Sequence, residues 1–516
     1  MKTQIRAALA ALLVVAAVSG ARAQTPAPVV RVSGGGLEGV GQGGSDAYLG
    51  VPFAAPPVGD LRWRAPQPAA GWSGVRKADH FGASCWQAVS GKGFGPWTHE
   101  YVVDGPVSED CLFLNVWTPA KPGARRPILV WFHGGGFSQG SGSVPIYDGA
   151  ALAAEGVVVV TVNYRLGVLG FFAHPELTRE AAGEATGNYG LMDMIAALKW
   201  VRANARAFGG DPDSVTISGQ SAGGMAVHDL IQSPLAKGLF QKAIIESGLP
   251  GVAPNPPLAQ AEASGVAFAK TKGASGIAAL RAMSPAQLSG GAPGFFAPMR
   301  DGVLLPAEDR GPASDTPVLV GVNADEGSAM SADYGTTDPA KLTALLKEGY
   351  GAEAGRFEGF YAASTDAQRA DASRRLLRDK SLAALYAWGE TRLGQTPSPV
   401  YAYLWTHPEP GPTADRYRAF HSSEIPYVFR TLGASPERPF SPEDRKLSQQ
   451  VSSYWLNFVR TGDPNGPGLP AWPRLTREAT RIMALDVDPH ARPVLPPAQL
   501  QAVQAFLAAG GQPRMF

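Results

Sequence analysis

Two hydrophobic periodicities alternate along most of this chain. Positions 128–132 and 157–162 are unbroken apolar runs rich in β-branched residues, the pattern of strands buried on both faces. Further strands are predicted at 215–218, 243–246, 318–322 and 400–405. Between them the spacing lengthens to three or four. Ile195, Leu198, Val201, Ala205 and Phe208 form one apolar stripe, which predicts an amphipathic helix over 192–208, ended by Asp211-Pro212. A further helix is predicted over 445–460. Strands alternating with helices imply a large, mostly parallel sheet covered on both faces, an α/β fold. Residues 24–120 differ: they are rich in Gly, Pro and Trp with short strand-like runs such as 29–32, predicting an antiparallel start with long loops. Residues 338–396 read as helical, and the expectation is a cap or lid over the carboxyl end of the sheet.

The amino terminus has another character. Lys2 and Arg6 precede the apolar run 7–18, and Ala21-Arg22-Ala23 carries small residues at both positions of a cleavage site, so 1–23 is expected to be a secretory signal peptide and the protein to be exported, periplasmic or secreted. About 12 apolar residues fall short of the roughly 20 that span a bilayer, so no stable membrane anchor is expected. The remainder, 24–516, shows no repeat or low-complexity tract and is read as one domain. Lys+Arg 45 against Asp+Glu 44 leaves a formal charge of +1, with no bulk field to attract nucleic acid. Of the 516 residues, 45% are hydrophobic and 17% charged, which excludes a disordered chain. Cys85 and Cys111 are the only two cysteines, and an oxidising compartment favours their pairing. Gly34, Gly36 and Gly39 match the spacing of a dinucleotide fingerprint, but further glycines and no helical stripe follow them, so nucleotide binding is not expected.

The sharpest chemical signal is Gly219-Gln220-Ser221-Ala222-Gly223, a GxSxG between a predicted strand and a helical run. The glycines allow a turn too tight for a Cβ, and a serine at its apex projects its hydroxyl above the sheet. A serine hydroxyl is a weak nucleophile and needs a base, itself oriented by a third group. In the chain order of such sites the base follows the serine, leaving His228, His407, His421 and His490. His421, which opens His-Ser-Ser-Glu-Ile-Pro after a strand and loop, is favoured over His407. The acid is expected in the turn after 318–322, where the sequence leaves Asp325 and Glu326 both open. His133-Gly134-Gly135-Gly136-Phe137 follows the strand ending at Phe132 and is the type of loop that presents backbone N–H groups to an oxyanion. There is no HExxH, Cys-rich ligand spacing or P-loop, so neither metal nor organic cofactor is expected.

Together these residues resemble the type B carboxylesterase and cholinesterase family of α/β-hydrolases. The likeness also rests on Tyr48-Leu49-Gly50-Val51-Pro52-Phe53, Ser108-Glu109-Asp110-Cys111-Leu112, Asn163-Tyr164-Arg165-Leu166-Gly167, Gly187-Asn188-Tyr189-Gly190-Leu191-Met192-Asp193, Phe208-Gly209-Gly210-Asp211-Pro212 and Glu246-Ser247-Gly248, spread over nearly the whole chain. The resemblance implies a serine esterase acting on a small-molecule ester through Ser221, with Glu326 as acid and His421 as base. It implies Gly135, Gly136 and Ala222 as oxyanion donors, Ser247 as a support of the acid, and a Cys85–Cys111 disulfide. Two rivals remain: a non-catalytic binding module on the same fold, and a lipase, thioesterase or amidase. Gln220 departs from the family's usual Glu, and no choline-binding tryptophan is identified, so acetylcholine is not the expected substrate. Arg300 stands where a small or apolar residue is more usual and is a candidate for binding a substrate carboxylate. Phe295 and Phe296 are candidates for the acyl pocket.

Overall fold

The computed structural model describes residues 25–515 except 43, 120–122, 250–254, 292–293 and 309–310. The expected signal peptide lies outside the described residues. One thirteen-stranded mixed sheet organises the molecule. Twelve of its strands are, in chain order, β1 (Pro26–Val32), β2 (Gly35–Gln42), β3 (Ser45–Pro52), β4 (Phe113–Thr118), β5 (Arg126–Phe132), β6 (Val158–Val162), β7 (Gly210–Gln220), β8 (Lys242–Glu246), β9 (Val318–Asn323), β10 (Val400–Trp405), β11 (Arg481–Leu485) and β12 (His490–Pro493). Across the sheet they run β1-β2-β3-β4-β6-β5-β7-β8-β9-β10-β11-β12, and Val75–Lys77 adds to β2. The first four pair antiparallel, as does β4 with β6, and every pair from β6-β5 through β10-β11 is parallel. The central strands are buried along their full length, which is why they read as continuous apolar runs rather than alternating ones. This is the α/β-hydrolase architecture.

Helices α1 (Tyr189–Asn204), α2 (Ala222–Gln232), α3 (Pro339–Tyr350), α4 (Asp366–Gln395), α5 (Pro442–Thr461) and α6 (Pro497–Ala508) are the longer elements that position the site or its neighbours. The stripe predicted over 192–208 belongs to α1, which starts earlier, at Tyr189, and passes into a 3-10 turn over Ala205–Phe208. Gly209, at φ 72°, closes that turn, and Asp211-Pro212 already lies in β7 rather than stopping the helix. Gly36 and Gly39 lie in β2, so the fingerprint spacing opens no helix. Within 338–396, α4 lies in the crossover between the parallel strands β9 and β10. Leu377 meets Gly327, just past the carboxyl end of β9, and Arg392 Nη2 reaches the Thr316 carbonyl before its amino end. The helix therefore runs back along the strand.

Candidate active site

Strand β7 ends at Gln220 and α2 begins at Ala222, so Ser221 must turn the chain between them. It does so at φ 57°, ψ −125°, a conformation that costs on the order of 1–3 kcal/mol and persists because the surroundings enforce it. Gly223 shows how tight the turn is: a Cβ there would lie 2.0 Å from the Phe132 carbonyl oxygen. The Ser221 N–H is fixed by the Glu246 carbonyl at 2.8 Å, and its side chain makes no capping hydrogen bond to α2. The hydroxyl is thus left facing a cavity of about 430 Å³ whose lining includes Ser221, His421, Gly135, Gly136 and Gln220.

His421 and Glu326 arrive on separate loops stitched to one another. The Asp325 N–H donates to the Ala419 carbonyl at 3.1 Å, and Asn323 Nδ2 donates to the Phe420 carbonyl at 2.7 Å and to Glu424 Oε2 at 2.6 Å. This holds Glu326 Oε2 2.5 Å from His421 Nδ1. The other carboxylate oxygen, Oε1, accepts from Ser247 Oγ at 2.5 Å and from the Asn323 N–H at 2.8 Å. Asp325 turns elsewhere, accepting from Tyr334 Oη at 2.5 Å and from the Ala419 N–H. His407 is likewise occupied, between Asp444 and Asp486. His228 sits on α2 beside Gln232, and His490 is exposed.

The remaining ring nitrogen, His421 Nε2, lies 3.2 Å from Gln220 Nε2. An amide nitrogen can only donate, so His421 accepts there and carries its proton on Nδ1, toward Glu326. Burial works against a charged imidazole, but the charge and hydrogen bond of Glu326, with the charge of Glu424, outweigh it and hold His421 above its ordinary pKa. Beneath the pair lies a small reserve of buried acid. Burial, then the charge of Glu326, pushes Glu424 up to about 7. Burial, then Glu424, pushes Glu246 well above the usual carboxylate range, although Trp455 Nε1 donates to it at 2.9 Å.

The glycine loop is held from behind. Tyr164 stacks on His133 at 4.4 Å and its hydroxyl donates to the His133 carbonyl at 2.7 Å. Burial pushes the His133 imidazole down to about 4, so it stays neutral. Gly135 and Gly136 take φ of 107° and 61°, conformations that favour glycine, and their N–H groups donate to no carbonyl of a described residue. Ala222 opens α2 and contributes the positive end of the helix. Sequence reasoning missed Gln87, which brackets Gly140 by donating to its carbonyl at 2.8 Å and accepting from its N–H at 2.7 Å. It also missed Trp97, whose indole N–H donates to the His421 carbonyl at 3.1 Å, and Glu424. Gln87 and Trp97 carry no local signal, since each acts on a segment distant in sequence, whereas Glu424 stands only three residues after His421.

Cys85 and Cys111 form a disulfide. Eight lining residues of the cavity, from Gln87 to Val103, lie inside the loop it closes. Phe94, Trp97, Tyr101 and Tyr147 make much of the wall, and no Asp, Glu, Lys or Arg is among the described lining residues. None of the lining comes from 338–396. Arg300 does not reach this cavity and instead lines a second one. Phe296 packs against Phe172 and Phe268, Phe295 is 78% exposed, and neither lines the catalytic cavity. Among the described residues one trio, His99, Glu100 and Glu437, has the spacing of metal ligands, but Glu100 is already bound by Ser435 and Arg438. No helix among the described residues is long and apolar enough to cross a membrane.

A serine at a strained elbow, a histidine backed by a carboxylate and a loop of glycine amides form an arrangement suited to acyl transfer. Residues 26–502 match the model of the Carboxylesterase family. The chain belongs to the carboxylesterase family. It is 39% identical to a fumonisin B1 esterase of Sphingopyxis macrogoltabida, over 89% of this chain and 86% of that one. It is 35% identical to a para-nitrobenzyl esterase of Bacillus subtilis (strain 168), over 89% and 95%. A solved PNB esterase structure superposes with a TM-score of 0.77 at 33% identity, covering 92% of this carboxylesterase and 99% of that chain.

Proposed function

We propose that this carboxylesterase is an exported hydrolase of small, uncharged carboxylic esters, acting through an acyl-enzyme on Ser221. The observation that carries the reading is the 2.5 Å contact of Glu326 with His421 Nδ1, beside Ser221 and the unengaged amides of Gly135 and Gly136. The ester carbonyl enters between Ser221 and those amides. His421 Nε2 exchanges its Gln220 contact for the Ser221 hydroxyl and takes its proton as Oγ bonds to the carbonyl carbon. The oxyanion is met by the N–H groups of Gly135, Gly136 and Ala222, each such donor worth about 2.7–4 kcal/mol in the transition state. The imidazolium gives its proton to the leaving alkoxide as the C–O bond breaks. Water, deprotonated by the same nitrogen, then attacks the acyl-serine; Ser221 leaves, recovers the proton, and the acid departs. Glu326 holds the tautomer throughout.

The uncharged, aromatic wall supports neutral esters as substrates. Export is supported by the leader-like sequence 1–23 and by the disulfide. Labelling with a fluorophosphonate, followed by peptide mass spectrometry, tests the reading: the adduct is expected on Ser221, and Ser221→Ala is expected to lose both label and ester turnover. An unreactive wild-type chain would mark it instead as a binding module.

A further inference from the structure

Arg300 belongs to a second cavity, of about 390 Å³, lined in part by α2. The two cavities share no lining residue. Four charged side chains line the second: Arg300, Arg392, Arg514 and Asp229. The balance is cationic, with Asp229 acting on Arg300 and Asp315 on Arg392 as the nearby countercharges. Arg392 is 4% exposed, and its Nε has no hydrogen-bond partner although Nη2 donates to the Thr316 carbonyl. The guanidinium groups of Arg300 and Arg514 make no hydrogen bond or salt bridge to a described residue, Arg300 half-buried and Arg514 exposed at the rim. Asp229 is already engaged by Asn255 Nδ2 at 2.9 Å, and burial pushes its carboxyl up to about 7, which weakens it as a counter-charge near neutrality. A buried guanidinium with an unmet N–H costs free energy that a ligand can recover. Ala384, Ala387, Trp388 and Leu507 give the wall an apolar stretch for a carbon skeleton, beside polar His228, Gln232, Thr391 and Gln395.

Three arginine forks around a cavity of this size, with one apolar side, fit carboxylates carried on a short chain. We infer that this cavity is a binding site for a small organic di- or tricarboxylate, separate from the ester cavity. Met225 and Gly248, which lie beyond Ser221 and Ser247, also line it, so the occupied site abuts the supports of the catalytic groups without containing any of them.

The test is isothermal titration calorimetry of the full chain with citrate and succinate, and with inorganic phosphate and neutral succinamide as comparisons. Saturable 1:1 binding of citrate is expected in the wild type and, unchanged, in Ser221→Ala, so the site stands or falls independently of the catalytic reading. Arg300→Gln and Arg514→Gln are each expected to weaken it about ten-fold, the loss of one charge-assisted contact, while turnover of a neutral ester stays within about two-fold. Arg392→Gln tests the buried member. Should that variant not fold, the other two, at less buried positions, decide the matter. No saturation by about 10 mM citrate, weaker than a millimolar site, would overturn the assignment. So would an unchanged affinity in the Arg300→Gln/Arg514→Gln double variant, or phosphate or succinamide binding as tightly as citrate.

Discussion

Gln220→Glu places a carboxylate where a neutral amide now meets the base, and its effect can be worked from the geometry. The amide nitrogen lies 3.2 Å from His421 Nε2. A unit charge at that distance, at an effective dielectric constant of about 20, interacts with an imidazolium by about 5 kcal/mol. Desolvation of the new carboxylate, and its repulsion by Glu326 and Glu424, oppose this, so the imidazole pKa is expected to rise by about 1–3, as is usual for an opposite charge within 4–6 Å. His421 already sits above its ordinary value, and the variant moves it further in the same direction. The base works only when neutral. The midpoint of the acid limb therefore moves to higher pH, and at any pH below both midpoints kcat/KM falls about ten-fold for each pH unit the midpoint has moved. At pH well above the new midpoint the base is neutral again and the loss disappears. The assay is kcat/KM for a neutral ester from pH 5 to 10, followed by pH-stat. An acid limb overlaying that of the wild type would refute the argument, for it would mean that residue 220 does not face the titrating nitrogen.

Three further outcomes follow from contacts described above. Glu326→Gln keeps the shape but not the charge that fixes the His421 tautomer, and kcat is expected to fall by about 10³–10⁴, as for other triads; a loss below ten-fold would remove Glu326 from the role. Cys85→Ser/Cys111→Ser frees a loop of sequence separation 26, which costs about 3.5 kcal/mol of stability through the chain entropy it releases, read as a lower denaturation midpoint. Turnover is expected to fall with it, because Gln87, two residues from Cys85, brackets Gly140. Glu424→Gln addresses the buried acids. With its folded pKa raised to about 7, Glu424 contributes stability that is present below its unfolded value and lost as pH rises through 7. The wild type should therefore lose thermal stability between pH 5 and pH 8 more steeply than the variant, and parallel Tm profiles would count against that account.

The serine elbow and the glycine loop were legible because steric exclusion writes them into the chain. Only glycine fits at 223, under the Phe132 carbonyl, and at the positive φ of 135 and 136 the backbone favours it. The central strands were legible for a similar reason, since burial on both faces selects mostly apolar residues and leaves polar ones such as Glu246 and Asn323 near the strand ends. The acid was not. Asp325 and Glu326 are adjacent and alike, and what separates them is that Tyr334 and the Ala419 N–H claim the first while Ser247 and His421 claim the second. Those partners come from three stretches of sequence, around 247, 334 and 419–421, that only the finished fold brings together. Arg300 shows the reverse case. Its oddity was visible in the chain, but the cavity it serves was not, because helix α4, the carboxyl terminus and α2 must all be in place before that cavity exists. The helices of 338–396 were likewise recognisable as helices, whereas their course along β9 depends on packing that periodicity does not encode.

The disulfide-closed loop gives the enzyme a division of labour. Ser221 and Glu326 sit just past the ends of sheet strands and His421 on a longer loop, whereas eight residues of the cavity lining belong to one covalently tethered cassette. Two anchors, the Gln87 bracket and the Trp97 indole, couple that cassette to the chemistry. Diversification confined to the positions between those anchors changes which molecules are accepted while leaving proton transfer as it was, so substrate range is free to drift faster than mechanism.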